Sequence, residues 1–243
     1  KTRQICKPTD GVPKVRRGAQ NLPMDTSEKL RRVELDKGLA SFESEPVGCP
    51  IETITNSEMT LEFMLDVVPT AEPEDWLRKQ PLIESDKPVV AGVLLFAEEP
   101  QAVLPKRCGL KISRYETKDA QGSREALKFA PLTVEGCAYS QIREAVRQTI
   151  EVVEQLKVMG KHGLESIQYP REALHEIITN AVLHRDYSIA DDVHVRVFDN
   201  RIEVESPGRL PGHVTPENIL EERFARNGQI VRIINKFSDA PNK

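Results

Sequence analysis

No stretch of this chain approaches the roughly 20 consecutive apolar residues that a membrane-spanning helix needs, and its first residues lack the short apolar core of a secretory signal. A membrane partner is therefore not expected, and the chain reads as a cytoplasmic protein. Its four cysteines, Cys6, Cys49, Cys108 and Cys137, form no C-x-x-C pair and have no histidine at ligand spacing. This argues against a zinc site and a disulfide framework and leaves ordinary reduced thiols. The phosphate loop G-x-x-x-x-G-K-[ST] is missing, so helicase motor chemistry is not expected. His184-Arg185-Asp186 imitates a protein-kinase catalytic loop, but the fifth residue after the aspartate is Asp191 rather than asparagine, and no glycine-rich loop precedes it. Internal repeats and low-complexity tracts are also lacking.

What is present suits a folded domain. At 243 residues, with 39% hydrophobic and 30% charged side chains, the chain can bury a sizeable core in one large domain or two ordinary ones. The net charge of -4 is unevenly spread. Residues 1–32 carry nine Lys or Arg against three acids, so that end is about +6 and the remainder is acidic. Arg16, Arg17, Arg31 and Arg32 are the candidates for contact with nucleic acid phosphates, which bind such charges by counterion release. A solvated basic surface is the other reading. The chain begins with Lys1 and ends at Lys243 just after a helix-like run, and is expected to be an excerpt.

Residues 1–25, rich in Gly, Pro and Asn, read as short strands and turns followed by a charged helix. Gly48, Cys49 and Pro50 mark a boundary. A helix capped by Asn56 is expected to bury Met59, Leu61, Phe63, Met64 and Leu65 and to stop at Pro69. A short helix follows around Trp76. The apolar run 89–96 suits a buried strand or a buried helical turn equally. Residues 110–115 and 128–134 read as strands. A long helix from Ser140 to about Met159 sets Ile142, Val146, Thr149, Val153 and Leu156 at heptad-like spacing, for core packing or for a seam between two copies. Near the end, Val193, Val195 and Val197 alternate with polar residues, Asp199-Asn200 reads as a tight left-handed turn, and Ile202 and Val204 alternate again: a hairpin. A further helix is expected with Thr215 as cap and Pro216 at its first position.

The richest segment is 169–187, YPREALHEIITNAVLHRDY. Leu174, Ile177, Ile178, Ala181 and Val182 follow helical spacing and predict one apolar stripe. Glu176 and Asn180 then fall side by side on the opposite face. On such a helix a glutamate can orient and deprotonate water, while an asparagine one turn later can give an amide oxygen to Mg²⁺, which needs few protein ligands when phosphates and waters complete its shell.

This segment, the hairpin behind it, Ser206-Pro207-Gly208 and Arg226-Asn227 together resemble the core of bacterial RecG-related, transcriptional-regulator-like proteins. Those proteins join a Schlafen AlbA-like domain to a divergent GHKL-type ATP-binding domain, the class of gyrase, Hsp90, histidine kinases and MutL. VVAGVLLFAEEPQAVLP, GLKISRYE and VEGCAYSQI are similar to the stretch preceding that core, and VRRGAQNLPMDTSEKLRR to the end of the AlbA-like domain. The resemblance implies an α+β chain: residues 1–48 as the end of an AlbA-like domain, 49–137 as an α+β middle region, and 138–243 as a GHKL-like α/β sandwich with helices on a mixed sheet. It implies that ATP and Mg²⁺ are the cofactors, with Glu176 activating water, Asn180 binding Mg²⁺, and His184 near the phosphates. Leu183 stands where many kinases carry a phosphate-contacting lysine, so Arg185 would supply that charge. Ser206 replaces the aspartate that reads adenine, and Gly208 keeps the glycine for close approach. The glycine-rich lid falls beyond the chain, so a complete ATPase is not expected. Two readings follow: a nucleotide-binding regulator whose Mg-ATP site, with slow hydrolysis at most, controls DNA contact or homo-oligomer assembly, and a DNA-binding or interaction module on a degenerate scaffold. His175, His194 and His213 read as surface or satisfied residues.

Overall fold

The computed structural model describes residues 11–17, 20–36, 41–104, 107–160, 163–167, 169–210, 217 and 225–237. It opens on a hairpin of β1 (Lys14–Arg17) and β2 (Gln20–Pro23), followed by α1 (Ser27–Asp36) and a 3-10 turn, Phe42–Ser44. Short helices α2 (Glu52–Thr55), α3 (Glu58–Val67) and α4 (Pro73–Lys79) come next. A small hairpin of β3 (Ile83–Glu84) and β4 (Lys87–Pro88) leads into α5 (Val90–Phe96) and α6 (Pro100–Val103). The remaining elements are β5 (Leu110–Arg114), β6 (Leu132–Val134), α7 (Ala138–Glu154), β7 (Lys157–Gly160), β8 (Gly163–Ser166), α8 (Arg171–His184), β9 (Val193–Val197), β10 (Ile202–Glu205) and α9 (Gly228–Ile234).

The central sheet has the order β10-β9-β5-β6, with β5 and β9 parallel and the two outer pairs antiparallel. Period-2 alternation explains its two faces. Leu110 and Ile112 on β5 lie in register with Val193 and Val195 on β9, and all four are buried, whereas Lys111, His194 and Arg196 between them are half-buried. Each buried aliphatic side chain contributes about 1.5–3 kcal/mol relative to exposure. The amphipathic helices α7 and α8 cover the apolar face, giving a mixed α+β fold with an α/β sandwich. In α7 the buried residues include Ile142, Val146, Thr149 and Val153, so that stripe serves the core; the helix ends at Glu154, and the segment expected to extend it forms β7 instead.

Because β5 and β6 precede residue 138 and β9 and β10 follow it, the expected boundary there divides one continuous sheet. Among the described residues one hydrophobic core runs from Val47 to Phe237. Its aromatic centre is Phe63, which meets Trp76 at 5.0 Å, Phe96 at 5.4 Å and Phe237 at 5.0 Å between ring centroids. The run that sequence left open, 89–96, is helical: α5 is buried on every side, which erases the periodicity that distinguishes helix from strand. Among the described residues no helix is long and apolar enough to cross a membrane.

Several local expectations are corrected. Ser57, not Asn56, caps α3, its side chain accepting from the Thr60 N–H at 3.1 Å. Leu61 and Leu65 point outward, 53% and 76% exposed, while Phe63 and Met64 are buried. The strand expected over 128–134 shrinks to β6. Asp199 and Asn200 do not adopt positive φ; the β9–β10 hairpin closes as a four-residue loop with the Phe198 N–H on the Arg201 carbonyl at 2.8 Å. Cys49, Cys108 and Cys137 are free thiols, and burial pushes Cys108 up to about 11, so it is a poor nucleophile. The helix expected at Thr215, as well as Cys6 and His213, lies outside the described residues.

Candidate functional site

The expected helix over 169–187 is α8, and it buries Leu174, Ile178, Ala181 and Val182 as its stripe. Ile177 departs from that stripe: it is 47% exposed, on the same side as Glu176 and Asn180. Ala173, Glu176, Ile177, Asn180 and His184 thus form one solvent-facing strip along the helix. Glu176 and Asn180 sit one turn apart, about 5–6 Å between Cβ atoms. Their side chains are engaged by no other described residue. Asn180 can offer an amide oxygen to a magnesium ion whose other ligands are phosphate and water oxygens; among the described residues no group of three or more His, Cys, Asp or Glu could cage a metal unaided.

The strip ends at the carboxyl terminus of α8, where the last carbonyls of a helix have no partner of their own. Here side chains supply the donors. The Ser206 hydroxyl donates to the Ala181 carbonyl at 2.7 Å, the Tyr187 hydroxyl to Val182 at 3.1 Å, and the Asn227 amide to both Leu183 and Arg185 at 2.9 Å. Ser206 is therefore tied into the fold, and what its oxygen still offers a ligand is a hydrogen-bond acceptor. Gly208 follows in a conformation with φ of +129°, and a Cβ there would meet the Asp186 Cβ at 2.9 Å. Close approach to Asp186 thus accounts for this glycine without any ligand. The loop is pinned further by the Asp186 N–H on the Pro207 carbonyl at 2.7 Å. Arg226 donates to the Asp186 carboxylate at 3.1 Å and to the Arg209 carbonyl at 2.6 Å.

Arg185 is a correction. Its side chain does not reach the solvent-facing strip, because Arg185 is 1% exposed and its guanidinium donates to the Gly109 carbonyl at 3.2 Å, the Arg107 carbonyl at 3.0 Å and the Asp191 carbonyl. It also stacks over the Tyr187 ring at 4.7 Å. A cation so engaged is an internal brace rather than a phosphate contact. Leu183, at 2% exposure, is core, which explains why no lysine stands there.

His184 keeps contact with solvent, yet desolvation by its crowded surroundings lowers its pKa and the Arg226 charge acts in the same direction. A histidine depressed on folding binds protons less readily folded than unfolded, so its contribution is fully present above the ordinary 6.5 and is lost as pH falls through the window below. The urea midpoint should therefore drop between about pH 7 and about pH 5 more for the wild type than for His184→Gln. Parallel curves for the two proteins would remove this assignment.

Of the four candidate arginines of the basic end, the side chain of Arg31 is described. Arg31 bonds the Glu45 carboxylate at 2.6 and 3.2 Å. Arg16 and Arg17 lie on β1 and Arg32 on α1, with their side chains outside the described residues. His194 faces Asp191 at 3.4 Å, and His175 is half-buried on α8. A cavity of about 300 Å³ lies at the other end of α8, lined by Ile150, Val153, Glu154, Tyr169 and Arg171. The 14 residues of α8 separate it from the Ser206 loop. Sequence reading assigned no role to Asp186, Tyr187, Arg226 or Asn227, although HRDY and Arg226-Asn227 stood out as motifs; for Asp186, Arg226 and Asn227 only contacts across about 40 residues of chain reveal what they do.

Residues 190–243 match the HATPase-type family described as "Putative ATP-dependent DNA helicase recG C-terminal". This span holds β9, β10, the Ser206 loop, Arg226 and α9, while Glu176 and Asn180 precede it. No curated protein matches the chain. Among solved structures, a structural-genomics crystal structure of a Corynebacterium diphtheriae protein is similar in fold, with a TM-score of 0.58 at 20% identity. The match covers 95% of this chain and 38% of that one, so the chain spans well under half of its structural relative.

Proposed function

We propose that the protein is an ATP-binding regulator in which Mg-ATP held against α8 controls DNA contact or homo-oligomer assembly. The observation that carries this reading is the Glu176 and Asn180 pair, one turn apart, exposed, and engaged by no other described residue. Asn180 gives its amide oxygen to Mg²⁺, which when bound shields the phosphate charge. Glu176 orients a water and accepts its proton, at a rate consistent with slow hydrolysis at most. Ser206 has already donated its hydrogen to Ala181, so it accepts from the exocyclic amine of adenine. His184, exposed at the end of the same strip, borders the phosphate end. The family matched by residues 190–243 supports the ATP-binding part of this reading. The regulatory part follows from the resemblance to RecG-related proteins, with residues 1–48 as the AlbA-like end that brings Arg16, Arg17, Arg31 and Arg32 to DNA.

The engagement of Ser206 and Arg185 within the fold favours a second reading, an interaction or DNA-binding module on a non-hydrolysing scaffold. Calorimetric titration of the full-length protein with ATP and Mg²⁺, beside Asn180→Ala, separates the two. The expected result is metal-dependent binding that the substitution weakens by about tenfold or more, some 1.4 kcal/mol. Absence of heat at millimolar ATP, together with DNA affinity that falls steeply with salt, would transfer the function to the second reading.

A further inference from the structure

Two halves of the molecule far apart in sequence meet in residues 226–230. At one end, Arg226 holds the Asp186 carboxylate and the Arg209 carbonyl, and Asn227 holds the carbonyls of Leu183 and Arg185. At the other, the Glu43 carboxylate on the 3-10 turn accepts the N–H of Gln229 at 3.0 and 3.1 Å and that of Ile230 at 3.1 Å. Asn227 is the N-cap residue of α9, yet its side chain makes no capping bond to α9. Gln229 and Ile230 are the second and third helical positions, whose N–H groups an N-cap asparagine ordinarily serves. Glu43, 4% exposed, has taken over that task across the chain.

We propose that Glu43 is a positioning residue for the candidate site: by accepting the α9 N–H groups it spares the Asn227 amide oxygen that task, leaves the side chain turned so that its NH2 caps α8, and so holds residues 206–209 against Asp186 through Arg226. Without Glu43 the two buried N–H groups of α9 compete for the Asn227 side chain, whose amide oxygen is the nearest N-cap acceptor, because a buried unpartnered N–H is costly. The carbonyls of Leu183 and Arg185 then lose their donor, and Arg226, one residue away, loses its placement. The consequence for nucleotide rests on the ATP reading; the latch itself does not.

Hydrogen exchange of the full chain without nucleotide tests the latch. In Glu43→Ala, exchange of residues 181–186, among them the Asp186 amide that the Pro207 carbonyl holds, should rise by about tenfold or more while β5 and β9 keep their protection. Glu43→Gln, whose amide oxygen still accepts, should restore most of it and serves in place of the alanine variant if that fails to fold. Unchanged exchange at Asp186, or a rise spread evenly over β5 and β9 as well, would overturn the proposal. A second arm measures ATP against inosine triphosphate and against inorganic triphosphate, each with Mg²⁺. The preference for ATP should fall in Glu43→Ala while inorganic triphosphate binds as before, a split that general destabilisation does not produce. Retained preference would count against the latch. If the wild type binds no nucleotide, the ATP reading fails and the exchange result alone decides.

Discussion

Arg185→Ala is expected to lower the unfolding free energy by about 3–5 kcal/mol, because it strips donors from one buried and two part-buried carbonyls and opens a cavity at once. The guanidinium bridges the end of α8 to the segment entering β5 and to the segment entering β9, through Arg107, Gly109 and Asp191. It is buried at 1% exposure, so few waters replace it on truncation. Arg185→Lys should recover only part of the loss, since a point charge cannot serve three separated carbonyls as a planar fork does. Urea unfolding followed by circular dichroism measures both variants. A loss below about 1 kcal/mol would show that the brace is not structural. The same pair of variants tests the discarded role, because a phosphate contact would weaken nucleotide affinity at unchanged stability.

Phe63→Ala should cost a similar amount, about 3–5 kcal/mol. The ring is fully buried and meets Trp76, Phe96 and Phe237, which belong to α4, to α5 and to the residues just after α9. Its removal leaves a void that four helical segments would have to move to close. The sign of cooperativity is as informative as the size. Trp76 fluorescence reports the neighbourhood of α4, and far-ultraviolet dichroism reports the whole chain. Coincident transitions, both shifted to lower urea, are expected if residues 49–137 and 138–243 share one core. An early fluorescence transition with an unshifted dichroism transition would instead show two independently folding units.

Local signals were legible where one face of an element is wet. The α8 stripe, the alternation in β9 and the amphipathic α7 could all be read directly, because partial exposure imprints a period on the residues. Legibility failed where burial is complete, as in α5, and where side chains override backbone preference. Asp199 and Asn200 suggested a left-handed turn, but Arg114 and Arg201 tie this loop down with bonds to Asp199, Val197 and Glu203 and to the carbonyls of Lys118, Asp119 and Ala120. Ile177 obeyed helical spacing and still faces solvent, on the side of Glu176 and Asn180.

The sequence by itself determined that a helix would carry Glu176 and Asn180 together on its polar side, because 3.6 residues per turn leaves no other arrangement once the apolar residues seek the core. It determined, too, that a hairpin and the Ser206-Pro207-Gly208 loop would follow. Only the tertiary structure decided what the residues at the end of that helix do. Arg185, Ser206, Gly208 and Asn227 are each of a type that serves a ligand or the fold, and chemical type does not distinguish the two. The unpaired carbonyls of α8 and the close approach of Gly208 to Asp186 decided it, drawing Ser206 and Asn227 into capping and Arg185 into the interior. That choice depends on which groups would otherwise be buried without partners, a quantity that exists only once distant segments have met.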